Sequence, residues 1–285
     1  MSFRVFRGQS FLIIMKLKSL IFIAIFLCTN ITVLSQNAAQ RRAETLDLGI
    51  NLTYLDNWWR GTKEKKYSDF VKPAEADKRE KMFADISKAG FKTVRIPINF
   101  GAWANYEKPY KWNEDNAIEY ADKFINWALE NDLNAIVDLH HVEFDGSVEG
   151  AEETERLVWL WQEIATRYKN TDPEKVFFEI RNEPKDISAE DWRKQAEAVI
   201  EAIRKVDTKH TLIVGFHDWN SRKAMVSSKP FADENIIYTF HYYDPFIFTH
   251  QGATWAGEGL PDLKGVPFPY SKKDKIKVPF LLLLY

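Results

Sequence analysis

Six short apolar segments are spaced along the chain and alternate with longer amphipathic segments. Each apolar segment has five or six residues, is rich in Val, Ile or Phe, and is apolar on both faces. Strands of a parallel sheet that is covered by helices have this pattern, because both of their faces are buried. We therefore predict strands over residues 47–52, 93–98, 134–139, 176–180, 211–215 and 236–240.

The segments between these strands repeat their apolar residues at helical spacing. In the last of them Trp192, Ala196 and Val199 share one face, and Ser188 and Asp191 have the spacing of a capping box. We predict helices over residues 77–88, 114–130, 153–168 and 188–206.

A repeated strand–helix alternation predicts an α/β fold, either a doubly wound sheet or a (β/α)8 barrel. No Gly-x-Gly-x-x-Gly follows the first strand, which disfavours a dinucleotide-binding sheet. Polar residues instead collect where the strands end, as they do in a barrel. Residues 277–285 resemble the start of a seventh strand. We therefore predict a (β/α)8 TIM barrel that is incomplete, with its last strand and helices missing from these 285 residues.

The first residues have the pattern of a secretory signal. Lys16 and Lys18 precede the apolar stretch 20–27, and Val33 and Ser35 suit the two conserved positions of a cleavage site. We expect a signal peptide over residues 1–35, with Met15 as an alternative start, a short linker over 36–45 and a catalytic domain over 46–285.

The protein is then secreted, periplasmic or attached to the cell surface, with no stable membrane insertion after the signal is removed. The stretch 20–27 is too short to span a bilayer comfortably. The single cysteine, Cys28, lies within the signal, so the mature chain would contain no disulfide bond.

The composition limits the classes of partner that we expect for this protein. The net charge is −2 and no basic run is present, so we expect no nucleic-acid partner. Aromatic residues make up 14% of the chain and include ten Trp. Such residues either pack the core or stack on sugar rings, and composition does not separate the two roles. We expect a monomer.

The polar residues at the strand ends form the candidate site. Arg95 lies within the second strand. The others follow the ends of their strands: His140 and His141 the third, Asn182 and Glu183 the fourth, and His241 and Tyr243 the sixth. Since the carboxyl ends of parallel strands meet at one face of a barrel, these side chains are expected to lie together.

Glu183 is the strongest catalytic candidate, because it ends the buried run 175–184 in Asn-Glu-Pro. A carboxylate there is costly unless it is needed. We predict that it is the general acid/base in cleavage of a glycosidic bond, a reaction that by retention needs a second carboxyl group about 5–5.5 Å away. The amide of Asn182 would bind the sugar 2-hydroxyl, while Arg95 and Tyr243 would orient the nucleophile.

Other chemistries have less support. No Gly-x-Ser-x-Gly occurs, and no third ligand lies at zinc spacing from His140 and His141. We expect neither a metal nor a cofactor. Substrate contacts are assigned to His141, Trp58, Trp219 and Trp255, although packing is an equally good explanation for each Trp alone.

Five motifs in order resemble glycoside hydrolase family 5, the cellulase-like retaining β-glycanases. They are residues 49–52 (GINL), 94–97 (VRIP), 138–141 (DLHH), 179–184 (EIRNEP) and 241–243 (HYY). The resemblance implies a (β/α)8 barrel, no cofactor and a double-displacement mechanism. It implies that Glu183 is the acid/base, with Arg95, His140, Asn182, His241 and Tyr243 as its companions. The substrate would be a polysaccharide or oligosaccharide, with β-1,4-glucan, mixed-linkage glucan, xyloglucan and mannan left open.

The chain departs from this family where the nucleophile belongs. The family places a Glu at the end of strand seven, and here Leu284 or a close neighbour stands at that position. The strand-eight Trp is absent too. We therefore expect a truncated endoglucanase that is nearly or wholly inactive. Two alternatives remain open: a non-catalytic glycan-binding remnant of the same barrel, and a metal-dependent barrel hydrolase that uses His140 and His141.

Overall fold

The computed structural model describes residues 37–56, 79–112, 118–140 and 151–269. Within them, six parallel strands form one sheet in sequential order. The strands are β1 (Gly49–Asn51), β2 (Thr93–Ile98), β3 (Asn134–Leu139), β4 (Val176–Glu179), β5 (Thr211–Val214) and β6 (Ile236–Tyr238). The alternation predicted from sequence is confirmed, and the sheet has the order of six successive units of a (β/α)8 barrel. The predicted seventh strand lies outside the described residues.

Two predicted strands have the observed bounds, and the other four are shorter. β1 starts later than predicted because Asp47 has φ 41°, a left-handed turn that separates the preceding helix from the strand. β4, β5 and β6 end before the prediction, where the backbone turns into the polar loops of the carboxyl face. In the described ranges β1 and β6 each pair with a single neighbour, so both edges of the sheet are open.

Helices alternate with the strands along the chain. They are α1 (Ala38–Leu46), α2 (Glu80–Lys88), α3 (Ile118–Glu130), α4 (Ala151–Tyr168), α5 (Ala189–Arg204), α6 (Arg222–Ser227) and α7 (Phe246–Thr249), with a 3-10 helix over Phe100–Trp103. The four predicted helices are α2 to α5. Ser188 caps α5 as expected, but the Asp191 carboxylate accepts from the Ser188 hydroxyl at 2.7 Å rather than returning to the backbone. No helix in the described ranges is long and apolar enough to cross a membrane.

Two buried tryptophans attach the helices to the strand ends that carry the site. The indole Nε1–H of Trp161 on α4 donates to the Ile180 carbonyl oxygen at 2.7 Å, just after β4. That of Trp192 on α5 donates to the Gly215 carbonyl oxygen at 3.0 Å, just after β5. Both rings are almost fully buried, so these bonds fix the loops after β4 and β5 on a rigid core.

From Ala38 onward, the segment predicted as a linker over residues 36–45 belongs to α1. Asn37 and Gln40 make a reciprocal capping box that starts the helix. α1 lies across the amino ends of the strands: the Asn134 side chain donates to the Thr45 carbonyl oxygen at 2.8 Å, and Thr93 donates to that of Leu46. The helix therefore covers the amino-terminal end of the sheet, opposite to the carboxyl ends of the strands, where the candidate site lies.

Arg42 is the main attachment of α1. Its buried guanidinium donates to the Lys209 carbonyl oxygen at 2.7 Å, to Thr211 Oγ1 at 2.8 Å and to Glu174 Oε1 at 2.7 Å. Hydrogen bonds from Arg41 and Arg42 lower the pKa of Glu174 to about 2. One side chain thus joins α1 to the loops before β4 and β5.

His210 was expected at the surface, and this expectation is wrong. The ring is fully buried, stacks on Phe178 with 4.6 Å between centroids, and is bonded to Asp207 through Nδ1 and to Thr171 through Nε2. The Asp207 carboxylate and the Thr171 hydroxyl satisfy both ring nitrogens, which removes the penalty for burying them.

Replacing Arg42 with Ala is expected to lower the free energy of unfolding by about 2–3 kcal/mol, because hydrogen bonds from a charged, buried donor to two fixed acceptors are lost. The measurement is urea denaturation. Arg41→Ala is the matched control, since Arg41 pairs with the same Glu174 but is half exposed, and its loss should change stability little. Equal destabilisation by both variants would contradict the role given to Arg42.

Candidate active site

Six of the predicted site residues line one cleft of about 670 Å³. The cleft opens at the carboxyl ends of the strands and extends down the inner face of the sheet as far as Leu46 of α1. Ile136, Ile213 and Ile237, from β3, β5 and β6, line the same space, so the inner face of the sheet is concave. The six site residues are Arg95, His140, Asn182, Glu183, His241 and Tyr243.

Arg95 is the centre of the polar layer. Its guanidinium binds Glu179 through two bonds, from Nε at 2.7 Å and from Nη2 at 2.8 Å. Asp138 Oδ2 lies 2.9 Å from Nη2. Nη1 donates to Asn51 Oδ1 at 2.9 Å and Nη2 to Asn182 Oδ1 at 2.8 Å. Because the Asn182 oxygen is held by Arg95, its NH2 group is the part that can donate to a ligand.

Strand register explains why the two carboxylates meet the guanidinium. Asp138 of β3 and Glu179 of β4 are direct cross-strand partners, and β2 is the neighbour of β3. Burial lowers the pKa of Arg95, but the charges of Asp138 and Glu179 raise the pKa by more. The net shift is upward, so the guanidinium stays protonated. Burial raises the pKa of Glu179, and Arg95 opposes that shift.

His140 shares the Asp138 carboxylate. Its Nδ1 lies 2.6 Å from Asp138 Oδ2. Burial lowers the pKa of His140, but the charge of Asp138 and this hydrogen bond together raise it above its ordinary value. Asp56, in the loop after β1, interacts electrostatically with His140, and burial raises the pKa of Asp56.

Glu183 lies above this layer and is held differently. His241 Nδ1 is 2.5 Å from Glu183 Oε1, and the two side chains are 19% and 24% exposed. Glu179, by contrast, is 3% exposed and has both oxygens bound to Arg95. Of the two glutamates in this segment, Glu183 is therefore the one with an oxygen left for a substrate.

The remaining predicted contacts are spread out. Tyr243 lines the cleft, but 53% of it is exposed, and its ring packs edge-on against His250 at 5.0 Å between centroids. Trp219 lines a second cleft of about 400 Å³ together with Asp186 and Lys223. Trp255 is 83% exposed and lines neither cleft. Trp58 and His141 lie outside the described residues.

Sequence reasoning gave no role in the site to Asp138 and Glu179, although both belong to the motifs 138–141 and 179–184, and it did not single out Asp56. A signal for Glu179 was present, since a charge inside the apolar run of β4 needs a partner and Arg95 inside β2 needs a carboxylate. Asp56 belongs to a loop, where spacing gives no such signal. Within the described ranges, no group of three His, Cys, Asp or Glu side chains is placed to hold a metal ion.

The His140–Asp138 pair predicts a pH-dependent contribution to stability. Because the pKa of His140 is raised on folding, its contribution is complete below the unfolded value of about 6.5 and is lost as the pH rises through the folded value. The loss of unfolding free energy in His140→Gln should therefore be larger at about pH 5.5 than at about pH 9. Denaturant titrations at both pH values measure it.

His217→Gln is the control, since His217 lines the second cleft and not the cleft that contains His140. A destabilisation by His140→Gln that is equal at both pH values, or larger at the higher pH, would contradict the pairing.

Comparison with known proteins places this geometry in a family. The family model described as Cellulase (glycosyl hydrolase family 5) matches residues 54–276. Endoglucanase 3 of Fibrobacter succinogenes is 32% identical over 250 residues, which cover 82% of this chain and 36% of that protein. Endoglucanase C of Acetivibrio thermocellus is 30% identical over 229 residues, 78% of this chain and 64% of that protein. The chain thus spans between about one third and two thirds of these relatives.

Solved structures agree. The crystal structure of endoglucanase Cel5A from Thermotoga maritima has a TM-score of 0.66 and 36% sequence identity, and the match covers 78% of this chain and 68% of that chain. Cel5A in complex with mannotriose has a TM-score of 0.66 and 34% identity, covering 80% of this chain and 71% of that one. The family model, the relatives and the structures lead to one conclusion: this chain belongs to glycosyl hydrolase family 5, the cellulase family.

Proposed function

We propose that the protein is an exported endoglucanase that cleaves β-1,4-linked glucan or a related plant polysaccharide by a retaining mechanism, with Glu183 as the acid/base. The observation that carries this proposal is the Glu183–His241 contact of 2.5 Å at the mouth of a cleft that Arg95, His140, Asn182 and Tyr243 also line. The volume of that cleft suits a small stretch of a sugar chain.

The roles follow from the contacts. Glu183 gives its proton to the leaving glycosidic oxygen and later activates water, as the acid/base of a retaining enzyme does. His241 holds one oxygen of the Glu183 carboxyl group, which orients the other toward the cleft. Asn182 is oriented by Arg95 so that its NH2 group donates to a sugar hydroxyl, a contact that strengthens as the transition state forms.

The second carboxylate is not supplied by the described residues of the cleft. Glu179 is buried and bound on both oxygens, so it has no access to the anomeric carbon. We expect the family's nucleophile position at Leu284 or a neighbour, beyond the residues 54–276 that the family model matches. We therefore propose that these 285 residues bind glycan but turn it over very slowly. Loss of one member of a cooperating catalytic set reduces rates by about 10⁴–10⁶.

Several related polymers are candidate substrates. Cel5A of Thermotoga maritima has been solved in complex with cellobiose and with mannotriose. Gluco- and manno-configured β-1,4 chains differ in the orientation of the 2-hydroxyl, so a site in which Asn182 donates to that hydroxyl distinguishes the two. We favour glucan, because the relatives that match most of this chain are endoglucanases.

The first test combines binding with turnover. Calorimetry with cellotetraose and mannotetraose should show binding to the unchanged chain, preferred for the glucan and weakened by Asn182→Ala through loss of a sugar contact. Release of reducing sugar from carboxymethylcellulose should stay about 10⁴-fold or more below that of a competent glycosidase. Turnover at an ordinary rate that Glu183→Gln abolishes would contradict the proposed inactivity, and absence of binding to either oligosaccharide would contradict the glycan site.

Export gives a separate test. In a bacterial host with a secretion pathway, the mature protein should leave the cytoplasm and begin at Gln36, after the cleavage site predicted at Val33–Ser35. N-terminal sequencing of the exported fraction measures this. A Lys16→Glu, Lys18→Glu variant should be retained, because it removes the positive charges before the apolar stretch. An exported protein that keeps residues 1–35 would contradict the assignment.

A further inference from the structure

A strained turn follows β5 at the edge of the site. Asp218, Trp219 and Asn220 have φ values of 58°, 58° and 56°, so three consecutive residues other than glycine are left-handed. This conformation costs an L-residue about 1–2 kcal/mol, and it is rare for a bulky side chain such as Trp. Strain of this kind persists where the surrounding structure requires it, often at functional sites.

The 218–220 turn is bonded to both partners of the candidate acid/base pair. The Trp219 backbone N–H donates to the carbonyl oxygen of Pro184, the residue after Glu183, at 3.1 Å. The Asn220 carbonyl oxygen accepts from the backbone N–H of His241 at 2.8 Å. β4 and β6 do not touch in the sheet, because β5 lies between them. The turn therefore connects two strand ends that the strands themselves leave apart.

Asn220 holds the turn in place. The side chain is fully buried, and its Oδ1 accepts from the Phe216 backbone N–H at 3.0 Å. The backbone N–H of Asn220 donates to the Phe216 carbonyl oxygen at 3.1 Å. The amide lies against Gly215, where an added Cβ would stand 2.4 Å from Asn220 Cγ. Gly215 is in turn bonded to Trp192 of α5. Asn is also among the residues that tolerate the left-handed region best.

We infer that Asn220 is a positioning residue, which acts through the 218–220 turn to hold Glu183 and His241 at hydrogen-bond distance. A contact of 2.5 Å between loops from two separate strands is broken by a shift of about 1 Å in either one. The turn removes that freedom, because one rigid segment sets the backbone positions of both. The catalytic meaning of this inference rests on the proposed function, whereas the positioning itself is measurable without turnover.

The test observes the imidazole Nδ1–H protons by NMR in the full chain. Among the histidines that the structure describes, three have a carboxylate on Nδ1: His140 with Asp138, His210 with Asp207 and His241 with Glu183. In Asn220→Gly, which keeps the left-handed backbone free of strain but loses the amide, exchange of the His241 proton with water should rise about tenfold, the effect of one lost hydrogen bond. The His210 proton should not change.

Further variants define the outcomes. Asn220→Ala lacks the amide as well and adds backbone strain, so its effect on His241 should be equal or larger. Gly215→Ala, which displaces the amide, should have the same local effect. His241→Gln assigns the signal.

An unchanged His241 proton in both Asn220 variants would overturn the inference, as would its absence in the unchanged chain. Parallel loss of the His210 proton would also overturn it, since the turn would then support the fold in general. Because the experiment measures neither binding nor turnover, its result is independent of the proposed glycan specificity.

Discussion

The buried guanidinium of Arg95 is the constraint on which the rest of the site depends. A cation on the inner face of a parallel sheet is unstable unless charges of opposite sign surround it. Asp138 and Glu179 supply those charges, and both are placed by strand register rather than by loops. Arg suits this position better than Lys, because its planar fork binds Glu179 through two bonds and still reaches Asn51 and Asn182. The network that neutralises Arg95 therefore also orients the amide beside Glu183, the proposed acid/base.

Two glutamates four residues apart show how environment divides roles between identical side chains. Glu179 ends β4 inside the sheet, is almost fully buried, and gives both oxygens to Arg95. Glu183 lies beyond the end of the strand, is about one quarter exposed, and is held through one oxygen by His241. A carboxylate that is locked in an ion pair stabilises structure, whereas one with a free oxygen in a cleft can exchange a proton with a ligand. The two environments differ because β4 ends at Glu179, so that Glu183 lies in the loop beyond the strand.

Sequence reasoning located the strands well because burial on both faces leaves a pattern that is independent of context. β2 and β3 were predicted with the bounds that they have. Six polar residues that line the cleft were predicted because a parallel sheet brings all of its carboxyl ends to one face.

Local pattern failed where a tertiary partner decides the outcome. α1 was taken for a linker because its attachment depends on Glu174, Lys209 and Thr211, which are distant in sequence. His210 was placed at the surface because its partners, Thr171 and Phe178, are equally distant. The left-handed turn after β5 carries no glycine at residues 218–220, so nothing in the local sequence marked it.

In the retaining mechanism that we propose, the two carboxyl groups lie on either side of the scissile bond and would come from different strands of the barrel. The half of the site that carries the acid can therefore be considered apart from the half that would carry the nucleophile. Among the described residues, the contacts that position Glu183 come from β2 through β6 and the loops that follow them: the Arg95 network beneath it, His241 beside it, and the 218–220 turn that joins their loops. The position of Glu183 is therefore set by contacts that lie within the described sheet and its loops.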